Sequence, residues 1–275
     1  MLTEILNRQF DNGGPFWSRE DGNIYAPTGS STIDTLLVIG ELGFSANDNR
    51  LIGEAVNYVF TYRSKKGSFG YSASGTKLPC ITARILAAFG RLGVINRPET
   101  GLAYQWLLNI QKEDGGWRCA TVKNGRSPLT DASNPGTTLY VLDAFRFREN
   151  TPEVTEKLDK GVDFLLQHWE VRLPVGPCKF GIGSRFLKTE YPFLRYNLFY
   201  YVYVLSFYPK AVIDKRFIEA YKFLEDKIND DKFKPENPHK KWQQFGFAQK
   251  DKISGPGTKR WLEIKHNVTN TGFSM

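Results

Sequence analysis

Arginine, aspartate and tyrosine side chains stand just before several apolar segments of the sequence. Arg118 follows Trp117, Asp131 lies in PLTDASNPGTT, and Arg195 and Tyr196 open the run that continues as NLFYYVYVLSFY. If these runs are helices, both arginines lie near helix N-termini, where free N–H groups and the helix dipole favour an anion. The alternative interpretation is structural: the two arginines bind loop carbonyls or pair with Asp131. The first interpretation predicts an anion-binding site, and the second predicts none.

The stretch QKEDGGWRC, residues 111–119, has the composition of a helix end followed by a tight turn. The ten residues before it, 101–110, predict a helix with Leu102 and Trp106 on one apolar face. Gln111 would end this helix, and the acidic Gly-Gly turn would bring Trp117 back over it. We expect the Trp117 ring to pack on the helix that it has just left, with its indole N–H bonded to a carbonyl.

Composition and charge exclude several classes of protein. The 275 residues are 41% hydrophobic, enough for a substantial core, but no apolar run has the length of a membrane-spanning helix. The opening MLTEILNRQFDNGG lacks the pattern of a secretory signal, and three widely spaced cysteines do not form a disulfide framework, so we expect a reducing cytoplasm. The sequence shows no Ser-His-Asp spacing, P-loop or dinucleotide fingerprint.

The net charge of +8 is spread along the chain, with pairs such as Lys65-Lys66 as its densest runs. This pattern does not favour a nucleic-acid surface; it is typical of a mildly basic face that attracts anionic substrates. Aromatic residues make up 14% of the chain, with 20 Phe and 13 Tyr. We expect this excess to line a ligand cavity.

An internal repeat organises the chain. Aromatic residues inside similar helical segments align at Tyr58, Trp106, Phe164 and Phe223, and the repeats begin near residues 2, 49, 97, 153 and 215. Each amphipathic segment is followed by a second one that is apolar nearly all round; three of these start with threonine, at Thr32, Thr82 and Thr138, and the fourth is 196–208. A helix that is apolar on every side is buried among other helices. The sequence therefore predicts an all-α fold of inner and outer helix layers, an α/α toroid that forms a single domain over 1–275.

The recurring pattern of helix, Gln, acidic residue, Gly-Gly-Trp and Thr-led apolar helix resembles the prenyltransferase and squalene-oxidase repeat, the QW motif. This repeat builds the toroids of terpene cyclases, including squalene cyclases, and of protein prenyltransferase β-subunits. The resemblance is strongest over 106–119 and covers roughly residues 1–230. The remainder is similar to short single-domain bacterial and archaeal members.

The resemblance implies an isoprenoid ligand in a central cavity, with polar chemistry at one rim. In the cyclases an aspartic acid of a DxDD-T motif protonates the substrate; the corresponding stretch here keeps Asp34 and Thr35, but Ile33 occupies the position of the proton donor. Cyclisation of squalene by that acid is therefore not expected. Asp34 stays a catalytic candidate, and its alternative role is to compensate the dipole of a helix N-terminus.

In the prenyltransferases, zinc is held by Asp, Cys and His. The present sequence lacks that pattern, but Cys80, Cys119 and Cys178 all lie between first and second helices, so a zinc site through them remains an alternative to three small buried side chains. No cofactor is otherwise expected. A separate partner subunit and peripheral contact with a membrane are both compatible with the resemblance.

The candidate site combines these residues. Asp34, Asp131 and Tyr196 are the catalytic candidates, and the residues expected to bind a prenyl diphosphate or polyprenyl chain are Phe89, Arg118, Arg195, Phe199, Tyr200 and Tyr203. Aromatic faces suit such ligands because they stabilise carbocations. Two alternatives stay open: a non-catalytic module that binds a protein at the toroid rim, and a glycan-active α/α barrel, which would need paired carboxylates.

Overall fold

The computed structural model describes residues 1–270, and this part of the chain is helical. The helices, in chain order, are α1 (Leu2–Leu6), α2 (Thr32–Glu41), α3 (Arg50–Phe60), α4 (Pro79–Arg91), α5 (Pro98–Asn109), α6 (Pro128–Asp131), α7 (Pro135–Phe145), α8 (Pro152–Val171), α9 (Leu198–Leu205), α10 (Pro209–Val212), α11 (Lys215–Glu225) and α12 (Gly255–Asn270). Extended pairing within 1–270 is limited to isolated bridges. The all-α prediction is confirmed. In the same residues, every helix is too short or too polar to cross a membrane.

The repeat alignment predicted the two kinds of helix correctly. The apolar segments form α2, α4, α7 and α9, and all residues of α2 and α9 are buried. The aromatic run 196–208 is helical, as its place in the repeat indicated, although its helix stops at Leu205. Because the residue before Pro209 is disfavoured in the α region, Tyr208 adopts an extended conformation and the next helix starts at the proline.

Prolines move several helix starts towards the N-terminus. Helices α4 and α7 begin at Pro79 and Pro135, three residues before the threonines that were expected to open them. Proline suits the first helical position because its missing N–H has no partner there in any helix. Asparagine and threonine supply other starts: the Asn197 side chain accepts from the N–H of Tyr200 at 3.2 Å, and Thr151 caps α8.

The chain divides into two compact units. Unit 1 contains Met1–Ile110 and Asp143–Glu149; unit 2 contains Gln111–Leu142 and the chain from Asn150 onward. The expectation of a single domain over 1–275 therefore stays a prediction. In unit 1, α4 packs against both α2 and α5. In unit 2, the fully buried α9 packs against α11 and α12, and α11 also contacts α8.

Unit 1 contains a buried charge cluster, which the sequence analysis did not predict. Arg91 on α4 forms ion pairs with Glu41 and Asp143; its Nη2 lies 2.8 Å from Asp143 Oδ2. Arg146 Nε lies 2.6 Å from the other oxygen of Asp143. The side chains of Arg91, Glu41 and Asp143 are at most 3% exposed, so these charges compensate one another away from water.

The Gly-Gly-Trp motif of residues 111–119 lies in unit 2. The fully buried Trp117 ring packs on α8: a Cβ added at Gly161 would lie 3.1 Å from the ring. The main-chain N–H of Trp117 donates to Thr138 Oγ1 at 3.1 Å. Gln111 also reaches α8, through a hydrogen bond to the carbonyl of Lys157. The motif thus ties the chain to α8, beyond α6 and α7 in the sequence. The expected packing of Trp117 on the preceding helix α5 stays a prediction.

The first copy of the motif shows the expected geometry. Trp17 is buried, and its indole N–H donates to the carbonyl of Ile5 on α1, the helix that precedes it, at 3.2 Å. Its main-chain N–H also donates to the Gln9 carbonyl at 2.7 Å. In both copies a buried tryptophan therefore packs against a helix.

Candidate functional site

A basic cleft on unit 2 is the candidate site. It has a volume of about 310 Å³, at the small end of ligand pockets, and is open to solvent. Its walls consist of polar side chains: Ser184, Arg185, Lys188, Arg195 and Asn237. Three of the five carry a positive charge, so the cleft favours an anion.

Arg195 is held rigidly at the wall of this cleft. It lies just before α9, and its Nε donates to the carboxylate of Glu190 at 2.6 Å. Its Nη2 donates to the main-chain carbonyl of Asn237 at 3.0 Å. Glu190 is buried, whereas a quarter of the Arg195 side chain remains exposed. The guanidinium is therefore positioned by the protein and still faces the cleft.

Arg185 and Lys188 supply the other two positive charges. Both are exposed, and within residues 1–270 neither side chain has an ion-pair or hydrogen-bond partner. The segment between them is anchored by Phe186, which is 4% exposed and whose carbonyl accepts from the N–H of Leu198 at 2.8 Å. The backbone is thus fixed to the start of α9 while two cationic side chains remain available to a ligand.

Phe186 belongs to an aromatic cluster that includes Tyr196. The two ring centroids are 4.7 Å apart, and the Tyr196 hydroxyl lies 3.0 Å from His168 Nδ1. The Leu173 carbonyl, 3.1 Å from Nε2, can only accept, so Nε2 carries the hydrogen and Nδ1 accepts from Tyr196. Burial lowers the pKa of His168 and raises the pKa of Tyr196 well above its usual value. Both groups are therefore neutral at pH 7, with Tyr196 as a hydrogen-bond donor.

Three of the predicted aromatic ligand contacts meet around one residue, Phe193. Its ring stacks on Tyr200 and Tyr203, each with centroids 4.9 Å apart, and meets Phe199 edge-on at 5.0 Å. The Tyr203 hydroxyl donates to Glu263 at 2.9 Å. All three predicted residues are at most 2% exposed, so they pack with one another in the core of unit 2.

Arg118 and Asp131 adopt the structural alternative. Arg118 Nη1 donates to the carbonyls of Val122, at 2.7 Å, and Cys119, at 3.2 Å. Its Nη2 lies 3.8 Å from Asp131, whose other oxygen accepts from the N–H of Gly125 at 2.8 Å. Arg118 thus organises its own loop. It does not line the cleft that contains Arg195.

The predicted residues of unit 1 have packing and capping contacts. Asp34 forms a buried ion pair with Arg84, accepts from Ser31 Oγ at 2.9 Å and accepts from the N–H of Gly29 at 2.6 Å. These are the contacts of a helix-capping residue. Phe89 is fully buried and stacks on Phe60 with centroids 4.7 Å apart.

Two of the three cysteines are neighbours. The side chains of Cys119 and Cys178 are hydrogen-bonded, and Cys119 Sγ also lies 3.0 Å from Thr121 Oγ1. The hydrogen bond from Cys178, together with Thr121 and the charge of Arg118, outweighs burial and lowers the pKa of Cys119 to about 5. Cys80 lies on α4 in unit 1. In the described residues, His, Cys, Asp and Glu side chains do not form a group of three that could hold a metal ion.

The sequence analysis identified one of the three cations of the cleft. Arg185 and Lys188 were missed, although they lie in the same kind of connection, before the same apolar helix, as Arg195. The signal was their spacing within GSRFLK, where an apolar anchor separates the two charges. Asn237, 42 positions from Arg195 in the chain, gave no such signal.

Comparison of the chain with known proteins adds no family assignment. No protein-family model matches the sequence, and a search of curated proteins finds no match either. The functional conclusion therefore rests on the residues of the site.

Proposed function

We propose that the chain binds an isoprenoid diphosphate, as a terpenoid-binding protein or as an enzyme acting on a prenyl diphosphate or polyprenyl chain. The observation that carries the proposal is the cleft in which Arg185, Lys188 and Arg195 converge. A diphosphate offers several anionic oxygens, and arginine can bind two of them at once.

The size of the cleft determines which part of the ligand it would hold. A volume of about 310 Å³ accommodates a head group but not a long prenyl chain. In this proposal the hydrocarbon leaves the cleft and packs against the apolar surface of unit 2, because Phe186 and the cluster around Phe193 are already buried. Burial of each methylene contributes about 0.8 kcal/mol, so affinity should rise with chain length.

Two further proposals complete this functional interpretation. The alternation of α2, α4, α7 and α9 with amphipathic helices supports an α/α toroid of the QW-repeat kind. Three widely spaced cysteines, which do not make a disulfide framework, support a cytoplasmic location. Because Ile33 stands where cyclases carry their acid, the proposed chemistry excludes squalene cyclisation by that route.

Binding calorimetry with a series of ligands tests the proposal. The series is inorganic diphosphate, prenyl diphosphates of increasing length, and a prenyl alcohol without charge. We expect the prenyl diphosphates to bind most tightly, inorganic diphosphate more weakly, and the alcohol not measurably. The double variant Arg185→Gln/Lys188→Gln should weaken binding of the prenyl diphosphates at least tenfold.

Matched variants distinguish binding in the cleft from attraction by the overall positive charge of the protein. Lys222→Gln/Lys232→Gln removes the same net charge from exposed residues of unit 2 that do not line the cleft, and it should leave affinity nearly unchanged. Arg118→Ala should also leave it unchanged. If no diphosphate binds, or if both double variants weaken binding equally, the proposal fails and the protein-interaction alternative takes its place.

A further inference from the structure

Cys119 and Cys178 form a thiol pair that the proposed function does not use. Cys119 lies in the loop after Trp117, and Cys178 lies in a turn closed by the bridge between Val175 and Phe180. The two side chains are hydrogen-bonded although 59 positions separate them in the sequence. Cys178 is exposed, whereas Cys119 is 4% exposed. The pair thus joins a cysteine at the surface to a buried one.

Asn134 holds Cys178 in this position. Its Nδ2 donates to Cys178 Sγ at 3.3 Å, and its Oδ1 accepts from the N–H of Cys178 at 3.2 Å. The N–H of Asn134 donates in turn to the carbonyl of Trp117, at 2.9 Å, two residues before Cys119. One buried residue, Asn134, therefore connects the two segments that carry the cysteines: its side chain binds Cys178 and its main chain binds Trp117.

Gly176 permits this close approach. It has a φ of +74°, which disfavours other residues, and a Cβ at this position would lie 2.2 Å from Asn134 Oδ1. Only glycine lets the turn that carries Cys178 lie against Asn134. The local backbone is therefore shaped for the contact with Asn134, the residue that holds Cys178.

The surroundings of Cys119 favour attack by its sulfur. The Thr121 hydroxyl, at 3.0 Å, and the Cys178 thiol can both donate to it, and the Arg118 guanidinium is nearby. Donors and a positive charge stabilise a thiolate, which is the nucleophilic form of cysteine. Cys178 in its exposed position can react first, and Cys119 is placed to attack the product.

We propose that Cys119 and Cys178 form a redox-active dithiol, a modification site that reacts with small disulfides of the glutathione class and closes to an intrachain disulfide. In the first step Cys178 loses its proton to the solvent and attacks one sulfur of RSSR as the thiolate; a bond forms between Cys178 and SR, and RS⁻ leaves. In the second step the Cys119 thiolate attacks the Cys178 sulfur, the bond to SR breaks, and a second RS⁻ leaves. The two cysteines lose two protons and two electrons, and one RSSR is reduced to two RSH.

Mass spectrometry of the full-length protein tests this step. The reduced protein is incubated under native conditions with oxidised glutathione, then unfolded and treated with N-ethylmaleimide, which alkylates the remaining thiols. We expect one adduct in place of three, located on Cys80, and a cross-linked peptide that joins Cys119 to Cys178. Dithiothreitol should restore all three adducts.

Single variants test the assigned order of reaction. Cys119→Ser should stop at a stable glutathione adduct on Cys178. Cys119→Ala should give the same adduct, and it replaces the serine variant if serine disturbs the buried position. Cys178→Ser should leave Cys119 free, and Cys80→Ser should form the cross-link as the parent does. The proposal is overturned if the parent protein keeps three alkylated cysteines, or if it accumulates the mixed disulfide on Cys178 without the cross-link.

Discussion

The side chain of Gln111 binds the main chain of Lys157: its Nε2 donates to that carbonyl at 2.7 Å, and also to the Gly115 carbonyl at the same distance. Lys157 lies in the second turn of α8, more than forty positions along the chain. This single amide joins the turn of the motif at 111–119 to α8. The buried ring of Trp117 then covers the same helix at Gly161.

Removal of the Trp117 side chain should destabilise the fold strongly. Trp117 is fully buried against α8, so Trp117→Ala should lower the free energy of unfolding by about 3–5 kcal/mol, the usual cost of a large cavity. Urea unfolding followed by circular dichroism measures it. Phe10→Ala is the control, because Phe10 is 63% exposed and should be nearly neutral. Equal midpoints for the two variants would contradict the packing described here.

A methyl group at Gly115 should be tolerated poorly. Gly115 has a φ of +85°, and a Cβ there would lie 2.3 Å from the Lys160 carbonyl oxygen. Gly93 has a φ of +75° and open space around the same position, so Gly93→Ala reports backbone strain alone, about 1–2 kcal/mol. Gly115→Ala should cost about 1–3 kcal/mol more because of the clash. Chemical unfolding of both variants gives the difference, and similar values would show that the turn relaxes.

The stability of the fold should depend on Arg91, the central cation of the buried charge cluster in unit 1. Arg91→Met leaves the buried carboxylates of Glu41 and Asp143 with one cation fewer. The expected loss is about 3–5 kcal/mol of unfolding free energy, because buried carboxylates cannot be compensated by water. Arg50→Met breaks an exposed pair with Glu54 and should have no measurable effect. A thermal melt of each variant beside the parent distinguishes the two cases.

His168 should make stability depend on pH. Burial lowers the pKa of His168 in the folded protein below 6.5, its value in the unfolded chain. At a pH between the folded pKa and 6.5, the unfolded chain therefore binds a proton that the folded protein does not. Stability contributed by the neutral ring is complete above pH 6.5. It is lost as the pH falls towards the folded pKa, by at most about 1.4 kcal/mol per pH unit.

Glutamine at position 168 can keep both hydrogen bonds without titrating. Unfolding of His168→Gln at pH 7.5 and at pH 5.5 should therefore show a smaller loss of stability on acidification than the parent. His266→Gln is the matched control, since His266 is exposed. A parent-like loss in the His168 variant would assign the acid sensitivity to other groups.

The sequence was sufficient for the helices and insufficient for their contacts. Periodicity and the Thr-led alignment located every apolar helix, because burial on all sides leaves a local pattern. The buried face of α5 was not predicted: Ala103, Tyr104 and Leu107 are buried, whereas Leu102 is 50% exposed. The predicted face, with Leu102, and the observed one, with Ala103, differ by one position, and both consist of apolar residues.

The candidate site shows the same division between local and distant information. Arg195 could be identified because it precedes an apolar helix. Its contact with Asn237 and the contact between Cys119 and Cys178 each join segments that are distant in the sequence, and no local spacing indicates them. The aromatic residues of α9 were predicted as a cavity wall, but their meeting point, Phe193, lies in an irregular connection without periodicity.

The fully buried helix α9 has a consequence for the unfolded chain. Its eight residues, LFYYVYVL, carry no charge, proline or glycine, and five of them are valine or tyrosine, which have high strand propensity. Such a segment, once exposed, is prone to intermolecular β-pairing and aggregation. Native packing keeps it inaccessible, so recovery after denaturation should fall steeply as protein concentration rises. The helix most central to unit 2 is thus also the segment that most limits reversible refolding.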